Sequence, residues 1–417
     1  MITLDQCKAW DAEDELKHLK NEFALPENTI YLDGNSLGAR PKSALTRAQE
    51  VVSQEWGEDL INSWNKADWW GLSTRLGDKV AQLIGANPGE TVISDSTTLN
   101  LFKALSAAVK IQAGIAPERK VIIAEKDVFP TDLYIIEGYI DLVQKGYQLV
   151  LIEHPDELET TLKAHQTAVV VLSHINYRSG YFYDMEQVNQ TIHQYNALVI
   201  WDLCHSAGAV PIDLNKTQSD FAVSCTYKYL NGGPGSPALI WVNAKHQNKF
   251  WQPLSGWWGH QRPFDMADHY EPAQGIRRFL CGTQSILSMS LIECGLDVFL
   301  KTDMQKIREK SLNLTDLFIQ LVEQECAEFG FELITPIDHL QRGSHVSYCH
   351  EHGYAIVQAL VARGVIGDYR EPAVLRFGVT PLYLSHEDIW HAVQHLKQVM
   401  LNEEWKNEKY SVRGQVT

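Results

Sequence analysis

Ser224-Cys225-Thr226-Tyr227-Lys228-Tyr229-Leu230-Asn231-Gly232-Gly233-Pro234-Gly235 joins two apolar runs, 221–223 before it and 238–242 after it. A lysine flanked by tyrosines thus leaves one buried strand and enters a glycine-rich turn before the next. Upstream, the apolar run 197–201 ends in Asp202 and continues Leu203-Cys204-His205. A lone lysine is ordinarily a solvated surface group. An acid closing one buried strand and a lysine following the next have a more specific use. That layout suits pyridoxal phosphate (PLP), whose aldehyde takes the lysine amine and whose ring nitrogen pairs with the acid.

Working outward, short β-branched runs at 121–123, 149–152, 168–172, 197–201, 221–223 and 238–242 alternate with helical patterns. Strands apolar on both faces and separated by helices predict a mostly parallel sheet covered on both sides, an α/β fold. Ligands of such folds sit outside the carboxyl ends of the strands. Asp202 and the segments after Ile123 and Leu172 then face one crevice. Past about residue 290 the texture changes. A helical pattern over 284–321 leads to short strands at 331–334 and 345–348, a helix over 353–363, a strand at 374–378 and a last helix over 386–401. These predict a smaller α+β domain. The division expected is an N-terminal arm over 1–30 packed on the small domain, a large domain over 31–300 and a small one over 301–417, with fraying beyond Tyr410.

The composition is that of a globular chain: 417 residues, 45% hydrophobic and 21% charged, long enough for two domains. A formal net charge of −16 argues against a nucleic-acid partner. No apolar run reaches the length that spans a bilayer, and the N-terminus lacks the basic-then-apolar order of a signal peptide. Seven cysteines without a CxxC pair suggest reduced thiols and a cytoplasmic setting.

Individual motifs admit bland readings beside functional ones. Asp95-Ser96-Thr97-Thr98-Leu99-Asn100 follows the short strand 92–93 and opens a helix over 99–110. It is either an ordinary N-cap or a phosphate seat. Phe129-Pro130-Thr131-Asp132 places an aromatic and an acid after a strand, although Pro130 also suits a helix start. His205 could contact a cofactor, orient Asp202 or be a structural donor. Arg376, inside the apolar run 374–378, must find an anion: a substrate carboxylate gripped bidentately or a nearby acid. The favoured expectation is the carboxylate. Trp64, Trp69, Trp70, Trp257 and Trp258 read equally as core, subunit contact or substrate wall. Neither a GxGxxG after the first strand nor a P-loop is present. Cys349-His350-Glu351-His352 reads as a surface turn, so no metal is expected.

Taken together, Tyr31 to Gly38, Phe129 to Asp132, the Asp202 segment, Ser224 to Gly235, Gly256-Trp257-Trp258-Gly259-His260 and Arg342-Gly343-Ser344-His345-Val346-Ser347 resemble the kynureninase family. The resemblance runs from about residue 31 to 382. It implies a fold-type I PLP enzyme, a homodimer with active sites at the subunit interface, and hydrolysis of L-kynurenine to anthranilate and L-alanine. By position it makes Lys228 the cofactor lysine, Asp202 the pyridinium partner and Tyr227 both a phosphate contact and a proton shuttle. Thr97 and Thr98 fall on the phosphate and Phe129 on the ring. Asp132, His205 and Ser173 complete the cofactor shell. Trp257 and Thr283 help close the site from the second subunit, and Thr283 stands where other members carry Asn. Arg376, Asn35 and Ser36 fall on the substrate. Two other readings stay open: a cysteine desulfurase of the same fold, which needs a nucleophilic cysteine such as Cys349 on a mobile loop, and a non-enzymatic regulator that kept the fold.

Overall fold

The computed structural model describes residues 1–414. Among the described residues thirteen strands form three sheets, beginning with β1 (Ile30–Tyr31). The central sheet holds β2 (Thr91–Ile93), β3 (Val121–Glu125), β4 (Gln148–Ile152), β5 (Thr167–Ser173), β6 (Leu198–Asp202), β7 (Phe221–Ser224) and β8 (Leu239–Val242). Their order is β2-β8-β7-β6-β5-β3-β4, and only β8 runs against its neighbours. Strands β3, β5, β6 and β7 are buried almost throughout. This is the expected consequence of helices on both faces, and the α/β reading holds.

Register fixes where the polar ends emerge. Ser173 lies opposite Asp202, and Asp202 opposite Val223. The other ends are pinned by Asp220, fully buried just before β7. It accepts from the Val199 amide at 3.1 Å, His193 at 2.8 Å and His246 at 2.8 Å. Burial opposes its ionisation, but the bonds from His193 and His246 outweigh that and hold the carboxyl well below its ordinary value.

The remaining strands are β9 (Glu332–Leu333), β10 (His345–Cys349), β11 (Val365–Ile366), β12 (Asp368–Arg370) and β13 (Val374–Gly378). An antiparallel sheet of order β12-β13-β10-β9 places Ser347 and Asp368 on either side of Arg376. The helical pattern over 284–321 is two helices, Ile286–Phe299 and Met304–Cys326, because Asp303 caps the second by accepting from the Lys306 amide. Residues near both ends are built into the C-terminal part, where fraying was expected only beyond Tyr410. Strand β1 pairs with β11, so the chain around residue 30 is built into the C-terminal part. Residues 411–414 are tied down: the Tyr354 hydroxyl donates to the Val412 carbonyl at 3.0 Å, and Arg413 meets Glu371 at 2.9 Å. The first helix, Leu4–Glu13, docks through Asp11 onto the His386 ring at 2.8 Å.

Residues 32–38 carry the chain from the small sheet to the lysine loop. The Gly378 amide donates to Leu32 at 2.6 Å, and the Gly38 amide donates to the Tyr227 carbonyl at 2.7 Å. Glycine is required at position 38, because a Cβ there would lie 2.3 Å from the Lys228 carbonyl oxygen and 2.7 Å from the Asn231 Cα. Gly38→Ala is expected to cost about 1–3 kcal/mol through overpacking against backbone. Urea denaturation measures it, and an unmoved midpoint would show that the loop yields freely.

Candidate active site

Strand ends and two helix starts converge on a cavity of about 200 Å³. Lys228, Tyr227, Asp202, His205, Asp132, Phe129, Ser173, Thr97 and Thr98 all line it. Nine side chains singled out in sequence therefore meet in one place. Tyr177, Cys204, Cys225, Thr131, Ser236 and Asp95 line it as well. Asp95, Thr131, Cys204 and Cys225 lie inside motifs already read but were given no role, and Tyr177 lies in the segment after Leu172 that was expected to face the crevice.

The threonine loop is built by a buried lysine. Lys103 donates to Asp95 at 2.5 Å, to the Phe279 carbonyl at 2.7 Å and to Ser94 at 3.1 Å. Asp95, so held, turns the chain through a left-handed φ of 50°. Ser96 then caps the helix Thr97–Ile115 by accepting from the Leu99 amide. Thr97 and Thr98 occupy its first turn, where N–H groups lack helical partners. The Thr98 and Thr131 hydroxyls lie 3.1 Å apart. The motif is thus an N-cap and an anion seat at once. Pro130 begins the helix Pro130–Val143, whose first turn points Asp132 into the cavity.

Lys228 Nζ lies 3.0 Å from His205 Nε2 and 5.7 Å from the centre of the Phe129 ring. Burial, then the Lys228 charge, pushes His205 well below its ordinary value. The neutral ring accepts from the lysine through Nε2, which leaves Nδ1 protonated, buried and without a partner. His205 makes no bond to Asp202, so of its three readings the contact with the lysine is the one realised. Asp202 accepts from the Cys204 amide at 2.7 Å. Asp132 is buried beside it with both oxygens unpartnered. Burial first, and the Asp202 charge second, raise the Asp132 carboxyl well above its ordinary value.

These orphaned groups test whether PLP fits. A pyridinium N–H, a phenolic oxygen and a phosphate supply what the buried carboxylates, His205 Nδ1 and the helix start lack. Asp202 and Asp132 would hold the ring, Thr97, Thr98 and Ser236 the phosphate, and Lys228 the aldehyde carbon. The donor set fits the group.

Outside this cavity the placement differs from expectation. Asn35 is 0% exposed and packs against Gly378. Its amide atoms Oδ1 and Nδ2 are buried without a partner, and Asn35 lies outside the cavity that gathers the other nine residues. Arg376, 1% exposed, has found the acid that was set against the substrate carboxylate. Its Nε donates to Asp368 at 2.8 Å and its Nη2 at 2.5 Å. Its Nη1 donates to the Tyr177 carbonyl at 2.6 Å and its Nη2 to Ser36 at 2.8 Å. Four of five guanidinium hydrogens are engaged. Arg370 joins the same Asp368 at 2.7 Å. Burial and the Asp368 charge push the neighbouring Asp33 carboxyl up to about 8. At neutral pH the cluster therefore holds two guanidinium charges against one carboxylate. Neither Arg370 nor Asp368 carried a signal in sequence, because their role depends on the β12–β13 pairing.

Trp257 and Thr283 do not line the cavity of their own chain. Thr283 is exposed. Trp257 joins Trp70, Trp258 and Phe264 in an aromatic cluster with ring centres 5.2–5.7 Å apart, Trp70 and Trp258 stacking at 4.3 Å. Cys349 is the last residue of β10, paired with Val374 rather than lying on a loop.

The fold and the lysine-acid cavity define a fold-type I PLP enzyme. Among solved structures, the chain is similar to a cysteine desulfurase from Thermococcus onnurineus NA1 (17% identity, TM-score 0.76, 92% of this chain and 98% of that one). It is also similar to the cysteine desulfurase CsdA from Escherichia coli (18%, TM-score 0.77, 93% and 99%). At that identity the likeness concerns the fold alone. Residues 307–396 match the kynureninase C-terminal domain. Curated kynureninases from Pseudomonas fluorescens and from Burkholderia pseudomallei strain K96243 are each 55% identical over 417 residues, the whole of both chains. The chain belongs to the kynureninase family.

Two measurements check the site. Borohydride reduction of the PLP-loaded protein and peptide mapping are expected to place the pyridoxyl label on Lys228; a label on another lysine removes it from the role. Asp202→Asn is expected to weaken PLP retention about 10- to 150-fold, the loss of one charge-assisted hydrogen bond of about 1.5–3 kcal/mol. Full retention would transfer the ring nitrogen to Asp132.

Proposed function

We propose that this protein hydrolyses L-kynurenine to anthranilate and L-alanine, with 3-hydroxykynurenine as a second candidate substrate. The observation that carries this is the convergence of Lys228, Asp202, Asp132 and His205 on one cavity in a chain 55% identical to curated kynureninases throughout. PLP, when bound, supplies an electron sink for charge developing beside the substrate's amino carbon.

The chain's own groups do the rest. Lys228 Nζ, 3.0 Å from the neutral His205 ring, removes and returns the Cα proton. Burial, with Cys225 beside it, pushes the Tyr227 phenol well above its ordinary value. The phenol therefore keeps its proton at working pH and can deliver it to Cβ as the Cβ–Cγ bond breaks. Water adds to the side-chain ketone, and its oxygen leaves in the new carboxylate of anthranilate. The Arg376 cluster, with Ser36 bridging both arginines, carries the surplus positive charge that the substrate α-carboxylate requires. That carboxylate is met by the remaining Arg376 hydrogen and by the cluster field, a positioning role.

In this reading the enzyme is a cytoplasmic homodimer of tryptophan catabolism or NAD biosynthesis, with Trp257 and Thr283 reaching the partner's cavity. An apolar groove of about 440 Å³ between Leu25, Leu37, Leu45, Pro234 and Leu291 supports a second subunit. Among the described residues no helix is long and apolar enough to cross a membrane. The division at about residue 300 belongs to the same reading, supported by the separate central and C-terminal sheets.

The deciding assay offers both substrates to the PLP-loaded protein and follows anthranilate or 3-hydroxyanthranilate fluorescence; no release from either ends the proposal. Arg376→Lys keeps the charge but loses the fork. It is expected to raise KM at least tenfold with PLP retained, whereas unfolding or PLP loss without a KM effect would make the arginine structural. The raised Asp33 adds a pH signature. Below about pH 8 it is neutral; above, it ionises and cancels the surplus charge. KM is expected to rise above pH 8 and to stay flat in Asp33→Asn. Since the unfolded carboxyl ionises near its ordinary value, Asp33 costs stability from about pH 4 upward, and Asp33→Asn is expected to raise Tm at pH 7.

A further inference from the structure

Two thiols on the cavity wall are not used by the reaction. Cys204 follows Asp202 by two residues on the way out of β6. Cys225 follows Val223 by two residues on the way out of β7. Since Asp202 and Val223 are partners in the parallel ladder, continuing the register sets the two cysteines side by side. The contacts bear this out. The Cys225 amide donates to Cys204 Sγ at 3.2 Å, and Cys225 Sγ lies 4.0 Å from the Cys204 carbonyl oxygen. Neighbouring strands run about 4.8 Å apart, inside the Cα separation of about 4.4–6.8 Å that a disulfide spans.

Both thiols are buried in the protein yet line the cofactor cavity, so a small reagent entering the cavity reaches them directly. They are also unlike one another. Burial opposes ionisation of Cys225, but a hydrogen bond from Cys204 and the Lys228 charge overcome it and bring the thiol below its ordinary value. Cys204 is pushed the other way, by its bond to Cys225 and by burial. One sulfur is thus prepared as a nucleophile and its neighbour as the resolving thiol.

We propose that Cys204 and Cys225 form a reversible oxidation site on the cofactor cavity wall, closed to a disulfide by small-molecule disulfides when the cavity holds no PLP, and that closure blocks PLP uptake. The Cys225 thiolate attacks the small disulfide, forming a mixed disulfide and releasing one thiolate. Cys204 then attacks the Cys225 sulfur and releases the second, its proton passing to that leaving group. Two electrons move from the protein pair to the small disulfide, which becomes two thiols. Closure draws the Asp202 segment and the approach to Lys228 together across the floor on which the cofactor ring must lie.

The experiment treats the full-length chain, with PLP removed, with oxidised glutathione. Peptide mapping without reductant is expected to give a Cys204–Cys225 cross-linked peptide 2 Da lighter than the two thiols. PLP retained after dialysis, read by absorbance, is expected to fall at least tenfold and to recover with dithiothreitol. In the PLP-loaded protein the cross-link is expected to form at least tenfold more slowly. Cys204→Ser and Cys225→Ser, with folding checked by circular dichroism, are each expected to abolish the cross-link. Should either fail to fold, iodoacetamide blocking of the native chain, mapped to these two thiols, is expected to prevent the cross-link equally. Glutathione confined to Cys281 or Cys349 would overturn the proposal. So would cross-linking at the same rate with PLP present, or undiminished PLP uptake by the cross-linked chain. Each of these readouts is separate from kynurenine turnover, so the proposed activity can fail while the thiol site stands.

Discussion

Two buried carboxylates beside one lysine set the terms for the rest of this molecule. Asp132 and Asp202 are both buried on the wall of one pocket, and like charges at close range in such surroundings resist joint ionisation. The protein tolerates the arrangement because both groups sit on elements that cannot withdraw. Asp202 is the last residue of a central strand held in register on both sides, and Asp132 lies in the first turn of a helix begun by Pro130. A polar cluster left unsatisfied in this way costs stability. The same deficit makes the site selective for a ligand carrying a ring N–H and an anionic tail.

The site was readable in sequence to the extent that its chemistry was local. Lys228, Asp202, Thr97 and Phe129 each end or follow an apolar run, so strand order alone brings them to one edge. The sheet was readable for the same reason: β3, β5, β6 and β7 are apolar on both faces, and such runs have few other uses. The second arginine and its acid were hidden. Asp368-Tyr369-Arg370 is a three-residue strand whose meaning comes from pairing across a hairpin with β13. The break between the helices at Phe299 and Met304 was hidden because Asp303 is a cap only where the apolar periodicity has already paused. Asn35 belongs to a recognisable motif, but its tight fit against Gly378 depends on how residues 32–38 cross the small sheet, which local sequence does not reveal.

The arginine cluster illustrates how a permanent charge is kept inside an apolar strand. Arg376 satisfies its geometry with Asp368 and the Tyr177 carbonyl, and Arg370 restores the positive balance that the acid removes. Breaking up such a network exposes one unpaired buried charge, which is why removal of a single member is more damaging than the net worth of the pair. Asp33, held neutral at physiological pH, leaves the cluster with a net positive charge.

Residues 32–38 act as a measuring rod. One end is bonded to Gly378, two residues from Arg376, and the other to the Tyr227 carbonyl, immediately before Lys228. A stretch of six peptide steps extends at most about 20 Å, so the arginine sheet and the lysine loop cannot separate beyond it while both bonds hold. The separation of Lys228 from Arg376 is thereby bounded by covalent length as well as by packing. If the two grip one amino acid, as proposed, they meet it as a gauge already cut to a maximum size.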